Sequence, residues 1–432
     1  MTMDRRTILK NLGVAGGIGA LAGCVGVEEQ DGSESSGEDG SDSSGTDGTD
    51  TEEGSDDSGP SGTATVWYSL SESEKDEREA AIQQFEEQTD HSIDNSDISD
   101  MEQKTTSAIP AGQGPHTFEW AHDWVGDYTE RGFLVDRSDD LGVDLDQFTP
   151  AAAEAAQFDG GVYGLPHDSE TVTLIYNTDI VDEAPETVEE MRSTMEEFHD
   201  PENNQYGLGY PFNDPYFLSG WLQAFDGHLF DPEADEALGV DSEEVIEGAQ
   251  FAVDNFAPYM PNDPQYEPQA SVFAEGNAAF AINGPWYLST LNEKGINYEV
   301  TELPTAEGAS PTPYTGITMW YFTTGMEDGG DDIVAAQEFI EWYTTNEDLL
   351  LENAEEQGSI PVLQSLVDGG ELPDSVQGFA QSVEQGVPMP SDPRMNQVWD
   401  PVKNALTKMF NGDDDPQPAL EQAADEIRSN WE

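Results

Sequence analysis

Cysteine occurs once in this chain of 432 residues, at Cys24. That excludes an intrachain disulfide, and it excludes thiol catalysis anywhere downstream. Basic residues are scarce too, with 14 Lys and Arg against 91 Asp and Glu and a formal net charge of −77. Without a basic patch to neutralise phosphate, nucleic acid is excluded as a partner and anionic lipid is a poor one. The apolar run from Leu12 to Ala22 falls well short of the about 20 residues that a bilayer crossing needs. No Walker-type glycine loop is present, so any ATP hydrolysis falls to a partner. His91, His116, His122, His167, His199 and His228 lack metal-ligand spacing and read as surface or loop residues. Neither an EF-hand loop nor a Gly/Asp nonapeptide repeat occurs, so no metal and no cofactor is expected.

The N-terminus carries an address. Asp4, Arg5, Arg6, Thr7, Ile8, Leu9 and Lys10 form a twin-arginine export signal, and the apolar run after it ends in the lipobox Leu21, Ala22, Gly23, Cys24. Residues 1–24 are therefore expected to be a signal whose Cys24 receives a lipid. The mature chain would be tethered to the extracellular face of the cytoplasmic membrane. The competing reading is a free cysteine in a buried N-terminal helix.

Beyond the signal, residues 25–62 hold no Lys, Arg or aromatic residue, only Ser, Gly, Thr, Asp and Glu with Gln30 and a few small apolar residues. Such a segment cannot bury enough surface to offset its ordering entropy, and it reads as an acidic disordered tether. From residue 63 on, 9 Trp, 14 Tyr and 18 Phe in the chain are ample for packed cores, so the acidity there belongs to a surface. At low ionic strength that surface repels itself. In molar salt the Debye length is about 3 Å and the repulsion is screened. The pattern resembles secreted proteins of halophilic archaea.

The 370 positions from Thr63 to Glu432 exceed what one core usually serves, so two lobes are expected. Thr65 to Tyr68 reads as a first strand, with Ser71 and Glu74 as a capping box for a helix whose apolar face is Ala81, Ile82 and Phe85. Strand signals recur at Thr171 to Tyr176, Ala278 to Ile282, Tyr298 to Leu303 and Ile317 to Phe322. Helical spacing marks Ile333, Ala336, Ile340 and Tyr343, and again Leu420, Ala423, Ala424 and Ile427. The alternation predicts an α/β protein.

Four segments carry chemistry. Asn283, Gly284, Pro285, Trp286 ends a strand in a Gly-Pro turn and presents an indole at the rim of a sheet, where open α/β folds place their ligand crevice. Phe118 to Trp124 sets two indoles and a carboxylate in one turn or loop; the others are Asn213 to Phe217 and Met395 to Trp399. Together with Tyr163 to Pro166 and the run from Glu170 to Asn177, these segments resemble the maltose-binding proteins of ABC importers, in the same order from Val66 to Trp431.

The resemblance implies a two-lobed, type II periplasmic-binding-protein-like fold, with three chain crossings and a ligand cleft between the lobes. It implies crossings near Asp168 to Thr173, near Tyr314 to Trp320 and between Val367 and Gln377. The lobes would be 63–169 with 319–369, and 174–313 with 376–432. It implies that Trp286, Trp399 and Tyr216 stack on sugar rings, that Trp120, Asp123, Glu170 and Asp214 frame or accept hydroxyl hydrogen bonds, and that Met389 is an apolar cleft residue. Such a site suits a pyranose, whose apolar face matches an aromatic plane and whose hydroxyl rim matches carboxylates. The implied protein is a monomeric receptor that passes an oligosaccharide to permease subunits served by separate ATPases. This chain departs from enteric members where they carry basic cleft residues: Trp124 stands beside Asp123, and Ser69 to Glu72 lacks a lysine. A more aromatic cleft suits a longer or less polar glycan.

Other readings use the same residues. Carboxylates near aromatic rings also serve glycoside hydrolases, although no pair here is held in its own catalytic motif. A polyamine would suit the acids electrostatically, boxed among aromatics. Trp67, Trp221, Trp342 and Trp431 read as core, while Trp124 and Trp320 fit either role.

Overall fold

The computed structural model describes residues 61–432 apart from positions 71, 307, 328, 370 and 371. The export signal, Cys24, residues 25–60 of the tether and Ser71 of the expected capping box lie outside the described residues.

β1 (Thr63–Tyr68) contains no Gly or Pro and is flanked in parallel by β2 (Ser92–Asp97) and β3 (Thr117–Ala121). Parallel neighbours need a crossover. The helix Glu72–Gln88 supplies it between β1 and β2, burying the expected Ala81, Ile82 and Phe85. A short hairpin, β4 (Gln157–Phe158) with β5 (Gly161–Val162), precedes β6 (Gly164–Glu170).

β7 (Thr173–Asn177) begins two residues later than its sequence signal. Thr171 and Val172 form a chain crossing instead, where the Thr171 hydroxyl donates to the Tyr314 carbonyl at 3.1 Å. β7 joins β8 (Tyr206–Gly209), β9 (Ala278–Asn283) and β10 (Tyr298–Thr301) in a second sheet of order β10-β7-β9-β8. β11 (Tyr314–Phe322), buried along its whole length, then returns to the first sheet between β6 and β3. β12 (Ile360–Pro361) extends that sheet beyond β6, and β13 (Val387–Pro388) pairs with the start of β11. The protein is thus α/β with two lobes, one per sheet.

Each lobe has its own core. Val66, Phe118, Trp320, Tyr321 and Phe339 centre the first, and Leu208, Phe217, Trp221, Ile282 and Leu420 the second. Trp67 and Trp221 are core residues as expected, and Trp320 proves to be core as well. Trp342 and Trp431 instead cover core edges half-buried, with ring centroids 5.6 Å from Phe85 and 5.3 Å from Phe230.

The reading of every histidine as a surface or loop residue needs correction, because His91, His122 and His167 are buried. His91 and His122 have hydrogen-bond partners on both ring nitrogens, and His167 lies between the Glu119 and Asp168 carboxylates, which is what lets an imidazole leave water.

Candidate functional site

The first wall grows from the end of β3. Trp120 is on the strand itself, not in a loop, while Asp123 and Trp124 follow in the single turn His122–Trp124. Trp124 stacks on Trp120 with centroids 4.6 Å apart and on Tyr128 at 5.0 Å. Where a basic neighbour would donate hydrogen bonds, this indole instead stacks on Trp120 and lines the cavity beside it. Glu170 closes β6 opposite Gly316, whose missing Cβ matters: one built there would lie 2.7 Å from the Glu170 Cγ.

The second wall comes from three helix starts. Asp214 caps the helix Pro215–Leu222, accepting the Tyr216 N–H at 2.9 Å, which fixes the carboxylate against the first turn of that helix. β9 stops where the Asn283 side chain accepts the Gly284 N–H at 2.9 Å, and Trp286 follows in the next turn. Its indole folds back over Gly284, where a Cβ would sit 2.2 Å from ring carbons. Only glycine leaves that space. Trp286 meets the Phe217 ring edge-on at 6.0 Å and Tyr216 at 6.5 Å. Trp399 opens the helix Trp399–Asn411 and packs edge-on against Tyr314 at 5.9 Å.

These walls enclose a cavity of about 310 Å³ between the two sheets. Trp120, Asp123, Trp124, Glu170, Asp214, Tyr216, Trp286, Met389 and Trp399 all line it. Tyr216 shows only an edge, being 2 % exposed. Sequence reasoning missed Lys403, Asn396, Thr318 and Glu102 on the same walls. Lys403 supplies the basic group that the expected positions lack. Its signal was present, since Trp399 and Lys403 are four apart on one helix and so share a face. Burial, and then Asp400 and Asp100, push the Glu102 carboxyl above its ordinary range.

Behind Glu170, Trp286 and Thr318 lies a smaller polar chamber of about 40 Å³. Its floor is charged and buried. Arg78 makes two bonds to Glu119, at 2.7 and 3.1 Å, with its guanidinium 4.8 Å from the Trp320 and Tyr343 ring centres. His167 lies 3.0 Å from Glu119 and 3.1 Å from Asp168. Burial alone would lower its pKa, but Asp168 and Glu119 outweigh burial and hold it at about 9. His167 is also the extra residue where β6 slips register against β11, a bulge next to Pro166 that turns the ring into this network.

A third, larger groove of about 990 Å³ lies on the other side of His122 and Met389, with both lobes contributing to it. Among the described residues, no group of three His, Cys, Asp or Glu is placed to hold a metal ion.

Comparison with known proteins places this geometry in context. The sequence model of the bacterial extracellular solute-binding proteins matches residues 80–380. The chain is 38% identical over 348 residues to a maltotriose-binding protein of Pyrococcus abyssi (strain GE5 / Orsay), covering 77% of this chain and 74% of that one. It is 27% identical over 337 residues to a galactooligosaccharide-binding protein of Bacillus subtilis (strain 168), covering 73% and 77%. The fold is similar to that of the Thermus thermophilus maltotriose binding protein bound with maltotriose, with TM-score 0.77, 26% identity and coverage of 85% of this chain and 100% of that one.

Proposed function

Because the chain belongs to the family of bacterial extracellular solute-binding proteins, we propose that it is a lipid-anchored receptor that captures malto-oligosaccharides and hands them to the permease of an ABC importer. It is a binder and not an enzyme. The observation that carries the sugar reading is the convergence of nine side chains from six separate segments on one interlobe cavity. Aromatic rings and carboxylates both line it, as the faces and rim of a pyranose require.

In this reading Trp120, Asp123 and Glu170 act from the lobe formed by 63–169 with 319–369. Asp214, Tyr216, Trp286 and Trp399 act from the lobe formed by 174–313 with 376–432. A bound glycan contacts both, so it favours the closed arrangement by the difference in affinity between the two states. Closure hides the sugar from water and forms a surface that the permease distinguishes from the open one. Export by the twin-arginine pathway, a lipid on Cys24, a monomeric state and operation in brine complete the proposal.

Calorimetry with maltotriose in molar KCl tests it. Trp286→Ala should lose about 1–3 kcal/mol of binding free energy, the scale of one aromatic stacking partner. Parental affinity in that variant would remove Trp286 from the site. A second reading keeps the receptor and changes the glycan to a galactosyl oligosaccharide, as the name of the Bacillus relative suggests. Competition between the two glycans for one site decides between them.

A further inference from the structure

One edge of β11 is shared by two strands. β13 pairs with it in parallel at Tyr314 and Thr315, and β3 pairs antiparallel from Thr318 onward. The parallel ladder runs from the Val387 N–H to the Pro313 carbonyl and from the Met389 N–H to the Thr315 carbonyl, both at 2.9 Å. The regular slant of such a ladder makes Ile317 N–H to the Met389 carbonyl the next rung.

An imidazole stands in that rung. The Ile317 N–H donates to His122 Nδ1 at 3.1 Å, and His122 Nε2 donates to the Met389 carbonyl at 2.9 Å. The ring is 1 % exposed and transmits the bond in the same donor-to-acceptor sense, with its own width added to the gap. Only a neutral imidazole with its proton on Nε2 can accept on one side and donate on the other. Burial, partly offset by the bond to Met389, lowers its pKa to about 4 and keeps it neutral. His122 is also the residue that directly follows β3. The side chain that ends one strand therefore parts the other from β11, at the point where Met389 enters the ligand cavity.

We infer that His122 is a positioning residue for the ligand cavity: spliced between Ile317 and the Met389 carbonyl, it holds that carbonyl and the segment leading on to Trp399 one ring width away from β11, just past the last direct rung at the Met389 N–H. The inference rests on the reading of that cavity as the glycan site. Without the ring, the Ile317 N–H and the Met389 carbonyl are free to zip into an ordinary rung. The Met389 carbonyl and the chain after it are then drawn toward β11, and the backbone bond made there offsets the two bonds lost.

The test compares His122→Ala, His122→Gln and Trp286→Ala for maltotriose binding by calorimetry in molar KCl, alongside thermal unfolding. His122→Ala should bind at least about tenfold more weakly while unfolding within a few degrees of the parent, because preorganisation is lost and the core is not. His122→Gln, whose amide accepts and donates at once without titrating, should restore affinity to within about threefold of the parent. Parental affinity in His122→Ala, or equal losses of affinity and stability in both His122 variants, overturns the inference. If His122→Ala does not fold, nitrogen NMR of the parent decides: a neutral Nε2–H ring at pH 6 supports the splice, and an Nδ1–H or doubly protonated ring overturns it. Weakened binding in Trp286→Ala with none in His122→Ala rejects the splice alone. Unchanged binding in Trp286→Ala rejects the assignment of the cleft instead.

Discussion

Arg78, Glu119, His167 and Asp168 form a charged cluster under the cleft in which each group depends on the others. Removing one charge from such a set leaves its partner buried without compensation. Glu119→Gln should therefore cost about 3–5 kcal/mol of folding stability, read by denaturant unfolding in molar salt. The same cluster sets a pH window. The folded-state pKa of His167, at about 9, lies above its unfolded value near 6.5. Its contribution is thus complete below pH 6.5 and is lost as the pH rises through about 9. The stability gap between the parent and His167→Gln should shrink over that interval, and a gap that stays constant would mean the ring is already neutral.

At the scale of the element, Asp214 has two tasks that substitution can separate. As N-cap of Pro215–Leu222 it needs only an acceptor, whereas toward the cavity it offers a carboxylate. Asp214→Ala should lower stability by about 1 kcal/mol, the usual cost of a lost cap. Asp214→Asn should keep that stability and lose about 1.5–3 kcal/mol of glycan binding, the range for hydrogen bonds to a charged group. Thermal unfolding and calorimetry on the same two proteins check both halves. Equal affinities in the parent and Asp214→Asn would confine the residue to capping. β6 shows why some elements were hidden from the sequence. Pro166 argues against a central strand, and the strand accommodates it only through the adjacent slip in register against β11.

For the whole molecule the governing quantity is the net charge of −77. Two compact lobes hold most of this charge on their surfaces, so ionic strength acts on folding as a direct variable. Between about 0.1 M and 1 M salt the Debye length falls from about 10 Å to 3 Å. The thermal unfolding midpoint should rise steeply over that range and then level off, as followed by near-UV circular dichroism. A midpoint independent of KCl concentration would show that the carboxylates are too far apart to oppose folding.

Strand and helix signals were enough for the α/β class, while the two-lobed architecture and the residues of the cavity came from the resemblance of a few short segments to a known family. The strand closed by Asn283, Gly284 and Pro285 was legible as a short-range pattern, whereas the cap at Asp214 and the helix that opens at Trp399 became visible only in the structure. The export signal is equally local, but it lies outside the described residues. Only the tertiary structure brought Lys403 to the cavity wall, buried three histidines and set His122 between Ile317 and Met389. The reason is physical. Periodicity and turn chemistry decide what each segment becomes, whereas the partner of a side chain more than 190 residues away depends on which strands share an edge of β11, and that is settled only when both lobes have packed.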